Sequence, residues 1–253
     1  MNIAIITGAS SGMGREFALQ LDSIFQKMDE IWLIARRGDR LKELSEAMRN
    51  KTRIFAVDVT DEKQMSFFYK SLAQEKPVIR MLVNCAGYGY MGEFTELEKK
   101  PQIGMLEVNC KALTELTYEC IPYMKKNSRI IQLASSAAFL PQPGFAVYAA
   151  TKSYVLSFSR ALGEELVKRQ IYVTAVCPGP VETEFFDIAE RYGKTLAVKK
   201  LTIVQPERVV REALLASKEK KSIAVCSGWI KLFHLISSLL PHPFILKIMR
   251  LIK

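Results

Sequence analysis

The sequence predicts an α/β fold in which a parallel sheet carries helices on both faces, and three observations predict it. Short apolar runs alternate with longer amphipathic stretches along most of the chain. A glycine-rich turn, Thr7-Gly8-Ala9-Ser10-Ser11-Gly12-Met13-Gly14, joins the first run to the first amphipathic stretch. The chain has 253 residues, 49% of them apolar, enough for one large domain with a full hydrophobic core. Parallel strands need crossover connections, and crossovers lay the helices on the sheet's faces.

In chain order, the apolar runs Ile3–Thr7, Ile31–Ala35, Arg53–Val57, Met81–Asn84, Arg129–Ala134, Tyr172–Cys177 and Ser222–Val225 read as strands. Helical spacing of apolar residues fills the intervals at Gly14–Lys27, Arg40–Arg49, Glu62–Gln74, Ile103–Lys125, Val147–Arg169 and Glu207–Ser217. One domain is expected over residues 1–227, followed by a C-terminal amphipathic extension over 228–253. In such sheets ligands bind beyond the carboxyl ends of the strands, so the residues after each strand are the site candidates.

After the first strand, the glycines let the backbone turn tightly and approach a pyrophosphate, whose charge meets the free amides of a helix N-terminus. Gly8, Ser10, Ser11, Gly12, Met13 and Gly14 are therefore the first candidate cofactor contacts. The second strand ends at Ala35-Arg36-Arg37. An acidic residue there would take the ribose hydroxyls of NAD, whereas arginine pairs with the extra phosphate of NADP, so NADP(H) is favoured over NAD(H). Asp58-Val59 follows the third strand and Asn84-Cys85-Ala86-Gly87 the fourth. Asp58 can accept from an adenine amino group and the small Ala86-Gly87 step can admit a ribose, or each can be a turn or cap device.

The fifth strand delivers Ser135 and Ser136, and thirteen residues after Ser135 comes Tyr148-x-x-x-Lys152 on an apolar helix. Residues four apart share a helix face, so the Lys152 ammonium is expected beside the Tyr148 phenol, lowering its pKa toward working pH. Hydride transfer to a carbonyl carbon builds negative charge on oxygen, and a donor hydroxyl with a matched acid meets that need.

These motifs, with Asn109 between them and Pro178-Gly179 after the sixth strand, resemble those of the short-chain dehydrogenase/reductase family, over Ile3 to about Ser217 and in the family's order. The resemblance implies a Rossmann-type, doubly wound sheet of about seven parallel strands with NAD(P) across its carboxyl edge. It also implies roles. Ser135 holds the substrate oxygen, Tyr148 passes the proton, Lys152 binds the nicotinamide ribose beside Tyr148, and Asn109 holds a water of the proton relay. Pro178, Gly179, Val181 and Thr183 would meet the nicotinamide carboxamide, and the stretch from 184 to about 204 would be a substrate lid. Some NADP-specific members carry a basic residue where this chain has Ser11, so the NADP preference rests on Arg36 and Arg37.

Tyr88, Tyr90, Phe139, Phe145, Phe185 and Phe186, with Met91, Phe94 and Leu140, are the expected pocket wall. Such a wall suits an apolar carbonyl compound or secondary alcohol of steroid, lipid or aryl-ketone type. The expected activity is that of an NADP-dependent carbonyl reductase or hydroxysteroid dehydrogenase-like enzyme. Two alternatives stand beside it: a 3-oxoacyl-carrier-protein reductase, and a non-catalytic dinucleotide-binding regulatory protein.

No basic leader or cleavage site precedes the first strand, and the five cysteines lack metal-ligand spacing, so a cytoplasmic protein without zinc or disulfides is expected. Two histidines, both near the C-terminus, exclude a Ser-His-Asp triad. The net charge is +10, and residues 218–253 hold seven Lys/Arg against the single acid Glu219. No nucleic-acid-binding motif accompanies that charge. Partners are expected to be the small substrate and further copies in a homodimer or homotetramer. For the tail, three roles are open: a cover over the pocket, a subunit interface, or a basic amphipathic anchor on an anionic membrane.

Overall fold

A computed structural model describes residues 1–24, 28–190 and 203–252, with the side chains of 248–252 left aside. Seven strands form one sheet: β1 (Asn2–Thr7), β2 (Glu30–Ala35), β3 (Thr52–Ala56), β4 (Val78–Asn84), β5 (Met124–Leu133), β6 (Tyr172–Cys177) and β7 (Ile223–Val225). Their spatial order is β3-β2-β1-β4-β5-β6-β7 and every pairing is parallel. The order reverses at β1, with β2 on one side and β4 on the other. That switch point opens a crevice at the carboxyl edge.

Successive strand residues face opposite sides, so one apolar run feeds two cores. Ala4, Ile6, Ile31, Leu33 and Val83 pack against α1 (Gly12–Ile24) and α2 (Gly38–Glu46) through Phe17, Leu21, Leu41 and Leu44. Ile3, Ile5, Trp32, Ile34 and Leu82 face the other way. There they meet Phe68 and Leu72 of α3 (Glu62–Glu75). Asp61 starts that helix by accepting from the Lys63 and Gln64 amides, and Lys76 ends it in the left-handed region.

The expected helix Ile103–Lys125 is corrected by the structure. It is instead α4 (Lys99–Leu106), a π turn over Glu107–Ala112, and α5 (Leu113–Cys120), closed by a short 3-10 turn containing Pro122. Met124 and Lys125 belong to β5, because Met124 pairs with Ile79 of β4. Apolar spacing alone continues smoothly across that boundary; proline and a strand partner break it.

Downstream, α6 (Ala146–Leu166) carries Tyr148 and Lys152, α7 (Phe185–Ala189) is one short turn, and α8 (Pro206–Lys218) precedes β7. Helices α9 (Gly228–Leu239) and α10 (His242–Ile252) form the tail, separated by Leu240 and Pro241. Ile230 of α9 packs closely on Gly179, and His234 stacks on Phe139 at 4.1 Å between ring centroids. Residues 191–202 of the expected lid, and 25–27 of the first expected helix, lie outside the described residues.

Candidate active site

The Thr7–Gly14 turn leaves β1 at the switch point. Gly8 has φ +68°, and a Cβ there would stand 2.9 Å from the Ala86 amide nitrogen, so only glycine lets the two loops touch. Thr7 ties them together: its hydroxyl accepts from the Cys85 amide and the Ala86 amide, each at 3.0 Å. Beyond the turn, α1 begins with no acidic residue in its first turn, leaving its amino end electropositive.

A cavity of about 280 Å³ runs over this turn, bounded by Arg36, Arg37 and Asp58 at one end and by Gly87 and Tyr88 at the other. Ser10, Ser11, Gly12, Met13, Gly14, Val59 and Ala86 also line it. Hydroxyl donors, a guanidinium and an open helix N-terminus make a wall that suits a phosphate-bearing ligand, so these residues fit a dinucleotide. Thr183, Glu184 and Phe185 lean over the same space.

Arg37 reaches Ser11 Oγ at 2.6 Å, Ser10 Oγ at 3.3 Å and Glu184 Oε2 at 2.8 Å. Arg40, one helical turn on, grips the other Glu184 oxygen. The two guanidinium groups hold the Glu184 carboxyl below its usual range. Arg36 stays 74% exposed, with Asp58 Oδ2 at 3.9 Å. Asp58 Oδ1 accepts from the Thr60 amide and hydroxyl, so this residue is a turn device that still faces the cavity.

Asn84, Tyr148, Lys152, Pro178, Gly179 and Val181, also candidate cofactor contacts, do not line this cavity. Asn84 is buried beneath it, donating to Thr117 Oγ1 at 2.8 Å and Gln132 Oε1 at 2.9 Å, which locks β4 to β5 and α5. Gly179 is spent on packing with Ile230, while Pro178 accepts from the Ser136 amide through its carbonyl. Val181 bridges to Val204, and Thr183 packs over Gly12.

At the far end of the crevice, the Ser135 hydroxyl lies beside the Tyr148 phenol, and its oxygen accepts from the Ala137 amide at 3.1 Å. Lys152 Nζ lies 5.6 Å from the Tyr148 ring centroid and donates to the Leu133 carbonyl at 2.6 Å. Burial dominates both groups. It pushes the Tyr148 phenol up to about 12, against the lowering effect of the nearby Ser135 hydroxyl, and the Lys152 ammonium down to about 8. The lowered phenol expected from the helix spacing is therefore corrected: Lys152 points along the strand end, and desolvation outweighs it.

Asn109 is fully buried in the π turn. Its Oδ1 accepts from the Tyr88 amide at 3.1 Å, and its Nδ2 donates to the Tyr88 carbonyl at 2.9 Å and Thr151 Oγ1 at 3.1 Å. The extra residue of the π turn aims this amide at the loop after β4.

Of the aromatic candidates, Tyr88, Tyr90, Phe145, Phe185 and Phe186 gather around Tyr148 with Met91 and Met105. Phe145 stacks on Tyr148 at 4.2 Å and Phe185 tilts against it at 5.4 Å. Phe139 does not join them: it belongs to the cluster under α9 with Ile230. Phe94 is 64% exposed. The sequence reading missed Arg40, Glu184 and Gly89. A Cβ on Gly89 would fall 2.5 Å from Tyr148 Cδ2, so this loop touches the Tyr148 ring. Arg40's spacing from Arg37 was a usable signal, since three residues make one helical turn; nothing local marked Glu184.

Residues 2–191 match the family described as short chain dehydrogenase. The chain belongs to that family. It is 32% identical over 193 residues to sulfoacetaldehyde reductase 2 of Chromohalobacter salexigens, covering 73% of this chain and 74% of the relative. A short-chain dehydrogenase of Sphingobium yanoikuyae, solved with NADPH, superposes with a TM-score of 0.77 at 25% identity over 89% of this chain and 87% of that one. A 3-ketoacyl-(acyl-carrier-protein) reductase of Brucella melitensis, solved with NADH, has a TM-score of 0.76 at 23% identity, covering 88% and 95%. The protein is thus an oxidoreductase of alcohol and carbonyl groups with the family's Rossmann-type sheet and a nicotinamide dinucleotide as cofactor.

Proposed function

We propose that this chain is an NADP(H)-dependent oxidoreductase that interconverts a carbonyl and a secondary alcohol on an apolar substrate. The observation that carries the reading is the placement of Ser135 beside Tyr148 against an aromatic wall at the end of the crevice. The bound nicotinamide supplies or accepts the hydride. Ser135 orients the substrate oxygen and donates to it as charge develops. Tyr148, protonated at neutral pH because burial holds its pKa near 12, gives its proton to that oxygen in the reductive direction. Lys152, mostly charged below about pH 8, offsets the phenolate left behind. Asn109 fixes the Tyr88 backbone at the pocket's rim.

The preference for NADP(H) is supported by Arg36, Arg37 and Arg40 clustered where β2 ends, at the cavity's adenosine side. The apolar substrate class is supported by Phe145, Phe185 and Tyr90 beside Tyr148, which offer almost no fixed charge to a polar substrate. NADPH consumption over steroid, aryl, aliphatic and acyl-thioester ketones tests the reading. Turnover of apolar free ketones is expected, lost in Tyr148→Phe. Turnover confined to acyl thioesters would favour the carrier-protein reductase, and none on any panel member would favour a binding protein.

A further inference from the structure

Helix α9 buries one face on its own domain. Ile230, Phe233, His234 and Ser237 recur at helical spacing, and Ile230, Phe233 and His234 meet Gly179 or Phe139. That contact satisfies the amphipathic pattern, yet the opposite face is apolar as well. Trp229 is 72% exposed, Leu235 54% and Leu239 72%, with Leu232 between them, and Phe244 of α10 continues the strip at 54%. A run of large side chains left in water on a helix that has already paid its core contact marks an interaction surface.

The charge on this segment indicates what covers it. Residues 228–253 contain Lys231, Lys247, Arg250 and Lys253 and no Asp or Glu. Two copies pairing through this face would bring cations together without a counter-charge. An anionic lipid surface supplies the counter-charge and accepts the apolar side chains. Among the described residues no helix is long and apolar enough to cross a bilayer. Two short helices joined at Pro241 fit a surface-lying element.

We infer that α9 and α10 dock the protein on an anionic bilayer, with Trp229, Leu232, Leu235, Leu239 and Phe244 inserted among the headgroups and Lys231 and Lys247 at the phosphate level.

The two tryptophans provide the test. Trp32 is fully buried and Trp229 exposed, so an emission change on adding vesicles reports Trp229. The full chain is mixed with phosphatidylcholine vesicles, with and without phosphatidylglycerol, then centrifuged. The expected result is roughly tenfold or greater partitioning onto the anionic vesicles, a blue shift of Trp229, and release by high salt. The Leu235→Glu/Leu239→Glu double variant, changed only on the exposed face, should lose the pelleted fraction and the blue shift while keeping the wild-type NADPH titration. Recovery of the wild type in the supernatant at every lipid concentration would overturn the inference. So would undiminished binding by the double variant, or a smaller oligomer in that variant, which would assign the face to a second copy.

Discussion

Glu184 and Arg37, 147 residues apart in sequence, meet at 2.8 Å across the mouth of the dinucleotide cavity. Arg40 takes the second carboxylate oxygen, so a single acid from the loop after β6 occupies two of the three arginines near the end of β2. A cofactor phosphate bound at these arginines would have to share or displace this carboxylate.

Glu184→Gln should therefore tighten NADPH roughly threefold, the scale of a partly exposed ion pair, and move NADH much less. Arg37→Asp should weaken NADPH by roughly tenfold or more and spare NADH. Fluorescence titration of each reduced cofactor measures both; equal shifts for the two cofactors would show that these side chains do not read the extra phosphate.

Tyr148→Phe removes the proposed proton donor and leaves the stacked ring against Phe145 in place. Reduction should fall roughly a thousandfold in kcat with the cofactor affinity within about twofold of wild type. Stopped-flow NADPH oxidation alongside equilibrium titration separates the two quantities.

The pH dependence follows from the two buried groups. With the phenol near 12, the proton to be donated is present throughout the neutral range, so reduction should be flat from pH 6 to about 7.5 and fall above about pH 8 as Lys152 loses its charge. Oxidation needs the phenolate, whose fraction grows with pH, so it should rise between pH 7 and 9. A reduction rate that climbs with pH over this window would contradict the assignment.

Gly89→Ala probes the approach of the loop to the Tyr148 ring. Its Cβ would need space now held by Tyr148, so the ring or the loop must move. Activity should drop about tenfold or more while Tm changes by only a few degrees; unchanged kcat would mean that the loop yields freely.

Much of the fold was legible because the signals that specify it are local. Strand runs such as Tyr172–Cys177 alternate their side chains between two cores, and the helices between them carry a 3.6-residue stripe. The helix over Ile103–Lys125 failed for the same reason: apolar spacing cannot register a π turn that exists to aim Asn109, nor a strand partner for Met124 supplied by Ile79. Spacing also made legible the placement of Tyr148 and Lys152 on one helix and of Ser135 just past a strand. Asn84 could not be sorted from its cavity-lining neighbours Ala86 and Gly87, because only Thr117 and Gln132 turn it inward.

The sequence by itself determined the alternation of strands and helices, the glycine turn, and the presence of a serine, tyrosine and lysine at strand and helix ends. The tertiary structure decided their electrostatics and their neighbours. Burial raised the Tyr148 phenol where helix spacing predicted a lowered one, long-range pairing joined Glu184 to Arg37 and Arg40, and docking of α9 took Phe139 away from the pocket. Periodicity records which face a residue occupies on its own element; desolvation and charge pairing depend on what another element brings to that face.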